Sequence, residues 1–262
     1  MDFVKFYDEQ HDYAAFRSNP QKLEEYKKAI QWKVENLVKT IPAEMHFNNA
    51  LEVGCALGIL LNNLADKLQI KNRFGIDISA ENIQFAKKTY PNSTFVCGTI
   101  DEIKENWNKY FSIDKFDIVF LSDIIEHIPN DEEFLKEIST ITDYVLLNLP
   151  LEKCFNTRNR NYGELDPSGH LRCYNLSDAR KLIKNNGFII ISEINENAHF
   201  SKEFFKYYKE IRQNRVKRKP LLTRLFWSSY YSIEELVKNI FPTIYMKKYG
   251  SNYFALLKAD NK

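Results

Sequence analysis

The stretch Ala50–Gly58, A-L-E-V-G-C-A-L-G, decides how the rest of the chain is read. Leu51 and Val53 make an apolar approach, and Gly54, Ala56 and Gly58 leave a turn without bulk. Leu60, Leu61, Leu64 and Leu68 then recur at helical spacing. The pattern is a buried strand, a tight turn and a helix. Glycine lets the backbone turn sharply and approach a ligand closely. Unpaired N–H groups at the start of the next helix point at whatever sits on the turn. Such a turn is common on its own. It gains weight from R-F-G-I-D, whose Asp77 stands about 20 residues beyond Gly54, where folds of this kind place a ribose-binding acid.

E-V-G-C-A-L-G followed by G-I-D-I-S resembles motif I and its partner acid in class I S-adenosylmethionine-dependent methyltransferases. The familiar form is E/D-x-G-x-G-x-G, and Ala56 stands here at the middle glycine. A nicotinamide enzyme more often reads G-x-G-x-x-G with no acid ahead of the first glycine, so Glu52 turns the reading towards methyl transfer. The resemblance implies that Glu52, Gly54, Cys55, Ala56 and Gly58 surround the methionine end of S-adenosylmethionine. It implies that Asp77 accepts from both ribose hydroxyls and that Ile78 packs on the adenine. After the third strand, where the family usually carries an acid, C-G-T-I-D places Thr99 and Ile100, with Asp101 next.

Two further segments carry the resemblance. L-S-D-I-I-E-H-I resembles the family's segment in which a residue near Ser122 touches the methionine moiety and an E-H pair, Glu126 and His127, lies towards the substrate. G-H-L-R-C-Y resembles the H-x-R-x-[YF] segment of methyltransferases that decorate sugars and related small molecules, which singles out His170, Arg172 and Tyr174. The resemblance spans residues 45–195. It is specific for the cofactor and unspecific for the acceptor.

At 262 residues the chain fits one α/β domain with embellishments. Its hydrophobic content of 44% supplies a core, and a net charge of +2 gives no global field that would call for nucleic acid. Cys55, Cys97, Cys154 and Cys173 form no C-x-x-C pair and read as reduced thiols, not a disulfide frame or metal site. The opening, M-D-F-V-K-F-Y-D-E-Q, has no basic region followed by an apolar core, and no apolar run reaches membrane-spanning length. A soluble, cytoplasmic protein is expected.

Strands are expected at 50–53, 73–77, 94–97, 116–121, 144–149, 188–194 and 253–257. Ser79, Asn130 and Ser177 are placed to cap intervening helices. Strand–helix alternation predicts a Rossmann-like, doubly wound parallel sheet with ligands beyond the carboxyl ends of its strands. The resembled fold adds a seventh, antiparallel last strand between the fifth and sixth. The expected organisation is a single domain over 1–262. It comprises an N-terminal helical cap at 1–45, a cofactor-binding core at 46–197, a helical insert at 198–250, and the last strand and tail at 251–262. Phe3, Phe6, Tyr7, Tyr13 and Phe16 make the cap aromatic. They either fold over the cofactor as a lid, with Tyr13 near the substrate, or pack on the sheet edge.

Several side chains invite chemistry. Adjacent residues on a helix point about 100° apart, so Glu126 and His127 need not share a task. His127 reads either as a functional group or as a structural helix-side histidine. His170 has the intrinsic pKa of a general base, or else orders its loop. Arg158, Arg160 and Arg172 can receive an anionic substrate. Metal-dependent transfer would require acids behind both the fourth and fifth strands. Asp123 is present after the fourth, but no matching partner stands close behind the fifth, so no metal is expected. The basic run Arg212–Lys219 reads as a solvated linker or, with Leu221, Leu222, Phe226 and Trp227, as weak contact with an anionic membrane surface.

The sequence therefore points to O-methylation of a small polar or anionic acceptor, such as a sugar, sugar nucleotide or phosphate-type group of a surface-polysaccharide pathway. The rivals are a methyltransferase-fold binding subunit without catalysis and a nicotinamide-dependent dehydrogenase. The oligomeric state is not written in the sequence.

Overall fold

A computed structural model of the chain describes residues 3–10, 13–163, 166–217 and 219–260. Seven strands form one sheet: β1 (Asn49–Val53), β2 (Asn72–Asp77), β3 (Thr94–Cys97), β4 (Phe116–Ser122), β5 (Thr142–Leu151), β6 (Phe188–Glu196) and β7 (Ser251–Ala259). Their order is β3-β2-β1-β4-β5-β7-β6. The first five are parallel, and β7 runs antiparallel between β5 and β6. Each expected strand is present, several longer by one to four residues than their apolar runs.

The helices are α1 (Phe3–Lys5), α2 (Tyr13–Ser18), α3 (Pro20–Lys39), α4 (Ile59–Lys67), α5 (Ala80–Thr89), α6 (Ile100–Glu105), α7 (Trp107–Tyr110), α8 (Asp131–Ile141), α9 (Leu176–Asn185), α10 (Lys202–Lys217), α11 (Leu221–Ile240) and α12 (Pro242–Tyr249). A π-helical turn, Phe6–Gln10, follows α1. The central strands are buried on both faces, which is why Ile118, Val119, Phe120 and Leu121 read as one apolar run. Leu51, Val119 and Leu121 pack with α6, α8 and α9, whereas Ala50, Ile118 and Phe120 pack with α3, α4 and α5. Successive side chains thus feed two cores. The strand order reverses at β1 and β4, and the crevice beyond their carboxyl ends is the expected ligand position.

Two caps form as expected: Ser79 accepts from the Asn82 N–H and Asn130 from the Glu133 N–H. Ser177 does not cap α9. Asn175 does, because Asp178 three residues on bonds back to the Asn175 N–H and closes a reciprocal box. The insert holds three α-helices, the last because Pro242 starts a new one after Phe241. The apolar side chains of α11 are exposed, from Leu222 at 82% to Ile240 at 56%. Side chains of the basic run are described in part, and Arg218 lies outside the described residues.

The insert is anchored through His199, whose ring stacks on Tyr208 at 4.0 Å and whose Nδ1 lies 2.7 Å from the Tyr245 hydroxyl. Burial, with help from the Arg212 and Lys238 charges, pushes this histidine down to about 4. An unfolded histidine titrates near about 6.5, so between these values the unfolded segment binds a proton that the folded one refuses. The contribution is therefore complete above about pH 6.5 and is lost as the pH falls towards about 4. Limited proteolysis should cut the 198–250 region faster at about pH 5 than at about pH 7.5. His199→Gln, which cannot charge, should flatten that dependence, and a flat profile in the parent chain would refute it.

Candidate active site

The chain leaves β1 into a turn whose backbone alternates into the left-handed region, with φ of +73° at Gly54, +44° at Ala56 and +72° at Gly58. A side chain at Gly54 would meet Ile124 Cδ1 at 2.7 Å, and one at Gly58 would meet Phe95 Cζ at 2.8 Å. The N–H groups of Gly54 and Cys55 both donate to the Ile76 carbonyl, at 2.8 and 2.9 Å. Below the turn, Glu52 accepts from the Leu61 N–H at 2.9 Å, near the start of α4. Burial pushes this carboxyl well above its ordinary range.

Asp77 ends β2 and reaches across to the same turn. Its Oδ2 accepts from the Ala56 N–H at 2.8 Å, and its Oδ1 from the Ser79 N–H at 2.9 Å. Burial raises its pKa, opposed by these two bonds. A carboxylate oxygen can accept more than one hydrogen bond, so acceptor capacity remains for a diol. Asp77 faces a cavity of about 1340 Å³ that also shows Glu52, Gly54, Cys55, Ala56, Ile78, Thr99, Ile100 and Ser122. Gly58 is not part of this lining. It lies behind, against Phe95 and Ala86, because the turn has by then entered α4. The Thr99 hydroxyl caps α6 by accepting from the Glu102 N–H.

The aromatic cap lies over this cavity, with Phe3, Val4, Tyr7 and Tyr13 among its lining and Tyr26, Ile30 and Lys33 contributed by α3. Asp8 Oδ1 accepts from the Ser79 hydroxyl at 2.5 Å, and the Arg17 guanidinium donates to the Asp8 carbonyl at 2.7 Å. Phe3, Tyr7 and Tyr13 thus face the cavity, while Phe16 packs against the core.

The far end of the cavity is built from the segments after β4 and β5. Asp123, at φ +52°, pairs with Lys33 at 2.5 Å and accepts from Ser122 and Asn148. A 3-10 turn, Ile125–His127, follows. In it Glu126 Oε1 and His127 Nε2 come within 3.8 Å, so the two side chains do converge on one place. The His127 and His170 rings stand perpendicular with centroids 4.7 Å apart. His127 Nδ1 lies 3.0 Å from the Gly169 carbonyl and 2.9 Å from the Tyr7 hydroxyl.

His170 is held by a residue that sequence reasoning passed over. Its Nδ1 lies 2.7 Å from Glu152, the first residue after β5. Arg160 binds both Glu152 oxygens at 3.0 Å and both Asp166 oxygens at 2.6 Å. Burial pushes Asp166 up, but Arg160 and the Ser168 and His170 N–H groups outweigh it and hold the carboxyl at about 2. Glu152 is likewise lowered against burial, by His170 and Arg160. An acid does stand behind the fifth strand, and it supports a histidine. The H-x-R segment pointed to His170, and only the folded loop brings Glu152 to it.

The arginines expected to receive an anion are committed elsewhere. Arg172 pairs with Asp131 at 2.7 Å and donates to the Pro129 carbonyl, and neither it nor Tyr174 lines the cavity. Tyr174 is buried and donates to Asp131 at 2.5 Å, so this pair fastens the loop to α8. Arg158 lies over the Phe155 ring. Glu126 is almost wholly buried beneath the two histidines.

Glu52, Asp77 and Asp123 act on one another across the donor side, with Lys33 the opposing charge. A sulfonium bound there would offset the burial that raises Glu52 and Asp77, the Asp77 oxygens suit a ribose, and the volume exceeds the roughly 300–1,000 Å³ of an ordinary single-ligand pocket. These residues fit S-adenosylmethionine, which supplies an electrophilic methyl group when bound.

This sheet and this site define a class I S-adenosylmethionine-dependent methyltransferase. The chain belongs to the family described as methyltransferase domain, whose model matches residues 48–241. Solved structures of low identity share the fold. One is Haemonchus contortus phosphoethanolamine N-methyltransferase 2 in complex with S-adenosyl-L-methionine, with TM-score 0.61 and 15% identity over 100% of this chain and 60% of that one. A chain of the complex between the Haloferax volcanii Trm112 methyltransferase activator and the putative methyltransferase aligns at TM-score 0.60 and 15% identity, over 96% and 99%. Magnesium protoporphyrin IX methyltransferase from Synechocystis PCC 6803 with bound SAH aligns at TM-score 0.52 and 15% identity, over 89% and 84%.

Asp77→Asn should weaken S-adenosylmethionine binding by about 1–3 kcal/mol, the range for hydrogen bonds to a charged group. Unchanged affinity by calorimetry would remove Asp77 from the ribose site. Ala56→Gly should keep donor affinity and leave stability unchanged or raise it by up to about 1 kcal/mol, because Ala56 sits where an L side chain is strained. A lower melting temperature would show that the methyl group's packing matters more.

Proposed function

We propose that this methyltransferase acts on an oxygen of a small polar acceptor, a hydroxyl of a carbohydrate or sugar nucleotide of the kind found in surface-polysaccharide pathways. The observation that carries the reading is the group of His170, His127 and Glu126 at the far end of the donor cavity, braced by Glu152. A hydroxyl must lose its proton to become a methyl acceptor, and this cluster can take that proton or stabilise its loss. An already ionised phosphate-type oxygen would need cationic residues in the pocket instead. Arg158, Arg160 and Arg172 do not line it, and of the lysines that do, Lys33 is paired with Asp123 and Lys104 with Glu137, leaving Lys136 on α8. The hydroxyl is therefore the better acceptor.

In this reading the turn after β1 and Asp77 hold the donor, Ile78 and Ile100 flank its adenine, and the aromatic cap excludes water. Methyl transfer is an in-line displacement that depends on positioning in a dry pocket. His170→Ala or His127→Ala should lower kcat about 10²–10⁴-fold on a hydroxyl acceptor while donor binding persists. Arg172→Ala should act mainly through stability of the loop. Full activity of a His127/His170 double variant on the true acceptor would eliminate the role of the cluster.

The insert supports a second element, weak contact with an anionic membrane surface. On α11, Leu222, Leu225, Phe226, Ile233, Leu236 and Ile240 are exposed at helical spacing, with Lys217, Lys219 and Arg224 exposed nearby. Among the described residues no helix is long and apolar enough to cross a membrane. An apolar face with a basic margin instead suits lying along a surface. The protein should sediment with anionic vesicles and less so as salt rises. Leu222→Ser with Phe226→Ser should abolish this, and a salt-stable dimer that ignores vesicles would overturn it.

A further inference from the structure

Proton transfer to a histidine does not account for Glu126. Its side chain is 1% exposed, and neither oxygen has a hydrogen-bond partner among the described residues. A carboxylate taken out of water is normally satisfied by donors, by a paired charge or by a metal ion. One ligand atom each from Glu126, His127 and His170 lies within 4.8 Å of the others.

The tautomers of the two rings follow from their contacts. His127 Nδ1 faces the Gly169 carbonyl at 3.0 Å, and a carbonyl can only accept, so Nδ1 carries the proton and Nε2 the lone pair. His170 Nδ1 faces Glu152, whose oxygens also accept from Arg160, so this ring too has its proton on Nδ1. Each histidine is thus oriented through one nitrogen by a carbonyl or a carboxylate. That is the outer support that metal-ligating histidines ordinarily have. The Arg160 and Asp166 contacts then hold Glu152 in place.

We propose that Glu126, His127 and His170 hold a divalent transition-metal cation whose remaining coordination positions face the cavity and receive the acceptor's oxygen. Two imidazoles and one carboxylate favour ions of the manganese-to-zinc series over calcium, which takes oxygen alone. Metal–ligand bonds of about 2.0–2.2 Å require the three atoms to draw together by less than about 2 Å, a rotamer-scale adjustment. Asp123 is not needed as a ligand, because Lys33 neutralises it.

This inference rests on the O-methylation reading and specifies how the acceptor is activated. The acceptor's oxygen binds the cation and its O–H bond breaks, the proton passing to water. A lone pair of that oxygen forms the new C–O bond as the S–CH3 bond breaks, its electron pair staying on sulfur. The cation offsets the charge that develops on oxygen. His170 then serves as a ligand, and its proton stays on Nδ1 against Glu152.

The test does not require the acceptor. The full chain, stripped with a chelator and dialysed, is titrated with cobalt(II) and followed by visible absorption, with zinc(II) as competitor. One equivalent should bind, and Glu126→Gln and His170→Ala should each weaken binding at least about tenfold. Asp77→Asn should bind cobalt like the parent. Retention of S-adenosylmethionine binding by Glu126→Gln shows that this variant is folded. No uptake by the parent chain, or uptake unaffected by Glu126→Gln, overturns the site. Stoichiometric uptake in a protein that methylates only nitrogen or carbon acceptors would refute the O-methylation reading and leave the metal site standing.

Discussion

Two backbone N–H groups on one carboxylate hold the donor side together. Asp77 is at the end of β2, Ala56 is in the turn after β1, and Ser79 begins α5. The same acid therefore fixes the spacing of two loops and faces the cavity. The turn can be tight only because Gly54 and Gly58 leave no side chain against Ile124 and Phe95. Loss of the carboxylate would release both loops, whereas amide replacement keeps one acceptor oxygen and so separates ligand recognition from loop geometry.

The far end of the cavity uses charge differently. Asp166, Arg160, Glu152 and His170 form a chain in which each member orients the next. Arginine suits this position because its planar fork can serve two carboxylates at once. The loop from Leu151 to Tyr174 has little regular structure, yet it is fixed at both ends, by Arg172 and Tyr174 on Asp131 and by this chain. Its polar composition is thus internal bonding more than a surface for ligand.

The sheet was legible because strands buried on both faces write continuous apolar runs, and because Glu52, Gly54 and Asp77 mark the switch point. His127 and His170 were legible as candidates through the E-H pair after β4 and the H-x-R segment. Their relation to Glu152 was not legible, since Glu152 and His170 stand 18 positions apart and no periodicity links them. The convergence of Glu126 with His127 was not legible because the angle between two neighbouring Cα–Cβ bonds does not fix where two long side chains end. Arg172 looked like an anion receptor because sequence shows a charge without showing that Asp131 already claims it. Asn175 outcompeted Ser177 as a cap through a reciprocal bond to Asp178, a pairing that was present in the sequence and overlooked.

The N-terminal segment touches both halves of the cavity within consecutive residues. Tyr7 meets His127 at the far end, and Asp8 meets Ser79 beside Asp77. A segment so fastened cannot uncover one compartment while sealing the other. Were the two halves filled by the donor and the acceptor, one short segment would cover both.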